Sequence, residues 1–200
     1  MSSRHHKKTS RPTRGALPSR VRIIGGRWRG VPLAFPTLPA LRPTPDRVRE
    51  TLFNWLQPVI AGARCLDLFA GSGALGIEAL SRDAAQVEFV HSDPVVGKHL
   101  ANVLQHLGVT QPSVSSADAL RFLSSPARPF EIVFLDPPYA SGLLEPVCAQ
   151  LAQGWLAQGA YIYLECPAQS GLPALPTGWV VHRAKRAGQV GYHLLRNPTS

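Results

Sequence analysis

The sequence predicts an α/β protein: a parallel sheet with helices on both faces, carrying a small basic hairpin and helix on its N-terminal side. Three observations predict it. From residue 63 onward, short apolar runs alternate with single helical segments, the pattern of parallel strands joined by crossovers. A glycine-rich loop, with Gly71, Gly73 and Gly76, lies between the first of these strands and the first of these helices. The basic excess is local, because residues 1–49 hold 12 of the 21 Lys and Arg and one acid, Asp46.

The elements follow in order. Residues 1–19 are polar, punctuated by Pro and Gly, and are expected to be a disordered basic tail. "RVRIIGGRWRGVPLAFP" alternates basic and apolar residues around Gly25 and Gly26, which predicts a β-hairpin with strands near 21–24 and 27–34. In "TPDRVRETLFNWLQPVI", Thr44 suits an N-cap, Pro45 the first helical position and Asp46 the positive helix end. Val48, Leu52, Trp55 and Leu56 then share one helix face, away from Arg47, Glu50 and Asn54. Strands are expected at "RCLDLF", "QVEFVH", "PSVSS", "EIVFLD" and "AYIYLEC", with helices starting near Ala74, Pro94, Asp118 and Gly142. "GWVVHRAKRAGQVGYHLLR" has two extended runs split by "KRAG", the pattern of a terminal antiparallel hairpin. The expected domains are thus the tail (1–19), a hairpin and helix extension (20–60) and an α/β domain (61–200).

Composition narrows the function classes. No apolar run approaches the roughly 18 residues a membrane span requires. The first 20 residues lack the apolar stretch of a secretory signal, so a cytoplasmic protein is expected. Cys65, Cys148 and Cys166 stand far apart without CxxC spacing and read as core fillers, while the seven histidines show no metal-binding spacing, so no metal is expected. Residues 50–200 have a net charge of −2. A basic arm on a nearly neutral body suits either a polyanion such as RNA or a solubilising tail.

"CLDLFAGSGALGIEAL" matches G-x-G-x-x-G, in which glycines let a nucleotide approach the backbone at a helix N-terminus. Asp67 lies inside the strand, where a dinucleotide site is normally apolar, and its carboxylate can face a cationic ligand such as the ammonium and sulfonium of S-adenosylmethionine. Gly71 and Gly73 are the candidate cofactor contacts of this loop. Asp93, 20 residues past Gly73, is placed to bind ribose hydroxyls. Asp118 can accept from an adenine amine or simply N-cap the next helix.

"EIVFLDPPYASG" ends a buried strand in a carboxylate held by two prolines. Asp136 and the Pro137 carbonyl can together accept both hydrogens of an exocyclic amine and orient its lone pair. Pro138 limits the conformations of the turn, and Tyr139 offers a face for an unstacked base. These four residues are the candidate catalytic set.

"DLFAGSGALG" and "DPPY" together resemble Rossmann-like methyltransferases that act on exocyclic base amines. With "RIIGGRWRG", "LRPTPDRVRETLFNWL", "FAGSGALGIEALSR" and "GQVGYHLL", the chain resembles the RsmD family of bacterial 16S rRNA (guanine-N2)-methyltransferases over about residues 20–196. The resemblance implies a Rossmann-like S-adenosylmethionine-dependent methyltransferase sheet with an antiparallel last strand, S-adenosyl-L-methionine as cofactor and a guanine N2 as acceptor. It also implies 16S rRNA, free or in the assembling small ribosomal subunit, as partner, and a cofactor loop of Asp67, Phe69, Gly71, Ser72 and Gly73; no membrane role and a monomeric state are expected. Arg22, Arg27, Arg29, Arg42 and Arg47 are the expected RNA contacts, flanking the sheet edge that holds the site. One position departs: such enzymes usually carry Glu at the end of the second strand, where this chain has His91, so Asp93 or His91 must serve the ribose. Rival readings are a nicotinamide oxidoreductase, a DNA adenine-N6 methyltransferase and a non-catalytic RNA-binding assembly protein. A covalent cysteine route is disfavoured because no Cys is expected near the end of the "EIVFLD" strand.

Overall fold

In the computed structural model, which describes residues 19–35 and 44–197, the alternating segments form one seven-stranded sheet between two helical layers. The chain opens with a hairpin, β1 (Ser19–Arg22) antiparallel to β2 (Pro32–Phe35), followed by helix α1 (Asp46–Leu56). Then come β3 (Arg64–Asp67), α2 (Ala74–Ser81), β4 (Gln86–His91), α3 (Pro94–His106), β5 (Ser113–Ser116) and α4 (Ala119–Leu123). After β6 (Phe130–Leu135) and a 3-10 turn (Tyr139–Ser141) follow α5 (Leu144–Leu151), β7 (Leu156–Pro167), β8 (Val180–Ala187) and β9 (Val190–Arg196).

The sheet order is β5-β4-β3-β6-β7-β9-β8. The strands β3 to β7 run parallel, and β9 runs antiparallel to both β7 and β8. The final strand is therefore inserted into the sheet as its one antiparallel member, as expected. β3 has β4 on one side and β6 on the other, so successive crossovers leave it in opposite directions. The divergence opens a crevice above the carboxyl ends of β3 and β6, where open α/β sheets hold ligands.

Both faces of the sheet are covered. Leu52, Phe53, Ile77, Leu100 and Leu104 of the first three helices pack on one face, together with Val21, Leu33 and Phe35 of the hairpin. Phe122, Val147, Leu151 and Trp155 pack on the other. Double coverage explains why the strands read as continuous apolar runs rather than alternating ones. The α1 face is the predicted one, with Val48, Leu52 and Leu56 buried and Arg47, Glu50 and Asn54 exposed; Phe53 joins the core and Trp55 is half-buried. Cys65, Cys148 and Cys166 are all buried and free, as core fillers should be.

Several boundaries differ from the sequence-based expectation. The second hairpin strand spans Pro32–Phe35 rather than 27–34, because residues 25–30 turn, with Gly26 and Gly30 at φ of 74° and 83°. Thr44 does not cap α1: Pro45 holds that position without a side-chain bond, and the Thr44 hydroxyl points to Asp136 instead. Lys185 and Arg186 belong to β8, so the terminal hairpin turns at Gly188 and Gln189. β7 begins at Leu156, earlier than the expected 160. The helix expected near Gly142 starts at Leu144, after the 3-10 turn. Of the expected tail, residues 1–18 lie outside the described residues and Ser19 already belongs to β1; Arg42 also lies outside them.

The hairpin is tied to the sheet domain by a buried carboxylate. Glu78 of α2 accepts from Ile24 N–H and Gly25 N–H, each at 2.8 Å, and pairs with Arg82 at 2.8 Å and Arg49 at 3.4 Å. Arg49, fully buried on α1, also donates to Asp46 and to the carbonyls of Thr44 and Arg22. Ser81 completes the clasp by accepting from Arg27 N–H and Trp28 N–H and donating to the Gly25 carbonyl.

Candidate active site

Three carboxylates converge at the crevice, and strand parity explains why. Cys65 of β3, Phe134 of β6 and Tyr163 of β7 all face the α1 side of the sheet. Residues two further along each strand face the same way, which puts Asp67, Asp136 and Glu165 on that side. Phe134 pairs with Tyr163 and Leu135 with Leu164; one more step of this register sets Asp136 beside Glu165.

Asp67 is buried, and its Oδ2 accepts from Gly76 N–H at 3.0 Å. It therefore fastens strand β3 to the first turn of α2. Burial pushes its carboxyl up to about 7, against the opposing pull of that N–H. Between them the loop turns through Gly71 (φ 51°) and Gly73 (φ 77°). A Cβ on Gly73 would stand 2.5 Å from Leu100 Cδ1, and one on Gly76 would stand 2.2 Å from Phe89. The glycines thus serve both the turn and the close seating of α2 on β4 and α3. Gly73 is the N-cap of α2 and offers no side chain, so among the described residues no side chain caps the first-turn N–H groups of Ala74 and Leu75. Phe69 and Ser72 are half-buried beside them.

Across the switch point, Asp136 is half-buried at the end of β6. Burial first, then the charges of Glu165 and Asp67, hold its carboxyl well above the usual range, and the Thr44 hydroxyl at 3.4 Å opposes the shift. Glu165 is buried, accepts from the Tyr163 hydroxyl at 2.8 Å and is likewise raised by burial. The Pro138 carbonyl accepts from Ser141 N–H at 2.9 Å, whereas no described group donates to the Pro137 carbonyl. Tyr139 is 48% exposed, and its ring borders a hollow of about 250 Å³ that Pro137, Leu143, Cys166 and Leu172 help to line. Cys166 therefore does approach the end of β6 in space, contrary to its distance in sequence. Its thiol is buried and raised by that burial, which makes it a poor nucleophile.

The remaining predicted cofactor residues sit on neighbouring carboxyl ends. His91 closes β4, and burial lowers its pKa, favouring the neutral ring. Asp93 N-caps α3 with Oδ1 on Val95 N–H at 2.8 Å, and among the described residues no hydrogen bond engages its second oxygen. Asp118 N-caps α4 through bonds from Leu120 N–H and Arg121 N–H, one of the two roles open to it from sequence. The predicted RNA contacts are divided. Arg47 lies in the first turn of α1, next to the Thr44–Asp136 contact. Arg27 and Arg29 sit in the loop docked on Ser81, at the far end of α2 from the glycine loop, about 12 Å away along the helix. They flank the opposite end of the sheet rather than the site edge, because the hairpin runs back along α2. Arg22 is exposed and donates to the Gly30 carbonyl.

Sequence reasoning missed Glu165, Tyr163 and Thr44. An acid within the apolar run "AYIYLEC" was the available signal for Glu165, the same one that singled out Asp67. Thr44 and Asp136 are separated by 92 residues, and nothing local announces their contact.

A switch-point crevice with a glycine loop on one side and D-P-P-Y on the other, in a sheet whose last strand is inserted antiparallel, defines an S-adenosylmethionine-dependent methyltransferase. The sequence profile described as Conserved hypothetical protein 95 matches residues 21–196, and the chain belongs to that family. The chain is 52% identical over 175 residues to ribosomal RNA small subunit methyltransferase D of Escherichia coli, covering 87% of this chain and 88% of that protein. Identity to the protein of the same name from Haemophilus influenzae is 44% over 182 residues, covering 88% and 94%. The solved structure of an Escherichia coli chain bearing a methyltransferase name superposes with a TM-score of 0.85 at 46% identity, covering 91% of this chain and 100% of that one. The RsmD resemblance read from the motifs is borne out.

Proposed function

We propose that this chain methylates the N2 amine of a guanine in 16S rRNA, with S-adenosylmethionine as donor, acting as a monomer in the cytoplasm on free rRNA or the assembling small subunit. The relatives' names support the ribosomal substrate. The single observation that carries the amine chemistry is Asp136, raised in proton affinity and fixed by two prolines across the switch point from the glycine loop.

The residues at the crevice suit the donor. The loop N–H groups of α2 match a carboxylate, the free oxygen of Asp93 a ribose diol, and buried Asp67 a cationic centre. When bound, S-adenosylmethionine supplies a methyl group already activated by its sulfonium. The protein then has to orient the acceptor. Asp136 Oδ and the Pro137 carbonyl accept the two N2 hydrogens and leave the lone pair directed toward the glycine loop. Methylation makes N2 shed one proton, and the Asp136 carboxylate is placed to take it. Tyr139 gives the extruded base a ring to stack on, and Arg22, Arg27, Arg29, Arg42 and Arg47 supply phosphate contacts that position the RNA without reading its sequence.

Asp136→Ala tests this reading. Transfer of labelled methyl to 16S rRNA or 30S particles should fall by about 10²-fold or more while donor affinity, measured calorimetrically, stays within about twofold. Wild-type turnover in the variant would make D-P-P-Y a mere turn.

A further inference from the structure

Strand β8 is a free edge of the sheet and exposes Arg183, Lys185 and Arg186. The stretch from residue 167 to residue 200 contains no acid at all. Arg183 pairs with Leu194 and Lys185 with Tyr192, and both partners belong to the core on the α1 side. Arg183 and Lys185 therefore stand on the α1 face. Between them and the last turn of α1 lies an open hollow of about 620 Å³, lined in part by Asn54, Trp55, Tyr161 and His182. Its aromatic residues are held in place: Trp55 stacks on Tyr192 with ring centres 5.7 Å apart, and Tyr161 has Arg196 over its ring at 5.6 Å. Among the described residues, no carboxylate lies within ion-pair distance of Arg183 or Lys185. The acid on the adjoining face of α1 is Glu50, one turn above Asn54.

The register ties this surface to the chemistry. Glu165 pairs with Tyr192, and Tyr192 with Lys185. Lys185 thus lies two strand spacings, about 10 Å, from Glu165 and three, about 14 Å, from Asp136 on the same face. It is better placed to hold RNA entering the site than Arg27 and Arg29, which lie beyond the far end of α2. Charge on an edge strand also discourages strand-to-strand association. That role calls for neither an aromatic hollow nor two unpaired cations turned toward it, whereas stacking surfaces beside cations are what single-stranded nucleic acid uses.

We propose that the β8–α1 hollow holds the single-stranded RNA flanking the target guanine, with phosphates on Arg183 and Lys185 and a neighbouring base against Trp55 and Tyr161. This rests on the reading of the chain as an rRNA methyltransferase.

The test compares wild type, Arg183→Glu/Lys185→Glu and, as a charge control, Lys98→Glu on α3 at the opposite edge of the sheet. Binding to deproteinised 16S rRNA is titrated across salt concentrations, and methylation is assayed on the same RNA and on 30S particles. The double variant should bind more weakly, with a log K against log salt slope shallower by about 1 to 1.5, since each single-strand phosphate contact contributes about 0.7. Its KM should rise several-fold more than that of Lys98→Glu, with donor affinity and melting temperature unchanged. A slope and KM equal to wild type would overturn the surface while leaving the enzyme reading intact. Wild type that neither binds nor methylates either RNA would overturn the enzyme reading as well. A change in sedimentation of the double variant, with the RNA slope unaltered, would assign β8 to self-association and also overturn the proposal.

Discussion

Asp136 and Glu165 stand side by side on neighbouring strands, each raised by burial, and each ionised partner makes the other harder to ionise. The acceptor amine needs Asp136 as a carboxylate, so activity should rise with pH along a limb that lies above the ordinary carboxylate range. The charge of Glu165 ranks second to burial among the causes of that elevation, so its removal should lower the Asp136 pKa. Glu165→Gln is thus expected to move the acidic limb of kcat/KM to lower pH, while keeping most of the turnover on the plateau. A pH–rate profile on rRNA checks it, and an unmoved limb would show that Glu165 has no influence on Asp136. Thr44 acts in the opposite sense, its hydroxyl stabilising the ionised form of Asp136.

At the scale of elements, the hairpin hangs on Glu78. Four partners converge on this one buried carboxylate, two of them backbone N–H groups of the hairpin loop. Glu78→Gln would turn an amide donor toward N–H groups and leave the buried Arg49 guanidinium without that countercharge. It should cost about 3 kcal/mol in denaturant unfolding and open the loop to trypsin at Arg27 and Arg29. A loop as resistant as wild type would show that apolar packing of the hairpin suffices. The strand and helix succession, the glycine turn and the D-P-P-Y corner were legible because each is written in adjacent residues. The Glu78 clasp joins positions more than 50 apart, and "GIEAL" reads only as an ordinary helix. Thr44 was misread for the same reason: a good capping residue before Pro45 cannot announce a partner on a distant strand. The basic row of β8 was hidden by averaging, since the acids of the sheet domain cancel it in any count over residues 50–200.

For the whole molecule, the arginines of the hairpin loop are separated in space from the chemistry. Arg27 and Arg29 lie at one end of α2 and the carboxylates at the other. Reversing both arginines to Glu should therefore weaken rRNA binding and flatten its salt dependence by about 1.5 in slope, while kcat on saturating RNA and donor affinity hold. Equal slopes for the variant and wild type would reduce these arginines to solubilising groups. Loss of kcat alongside binding would mean that the arm also shapes the crevice.

β9 follows β8 in the chain yet sits between β7 and β8. A nascent chain that has emerged only as far as Ala187 has its longest strand, the 12 residues of β7, with one edge unpaired and no seat for β8. Tyr192, the neighbour of Glu165, is also still missing from the wall of the carboxylate cluster. The sheet therefore closes only when β9 slides in between its two neighbours, and a chain truncated before Val190 is expected to be a sticky, inactive fragment.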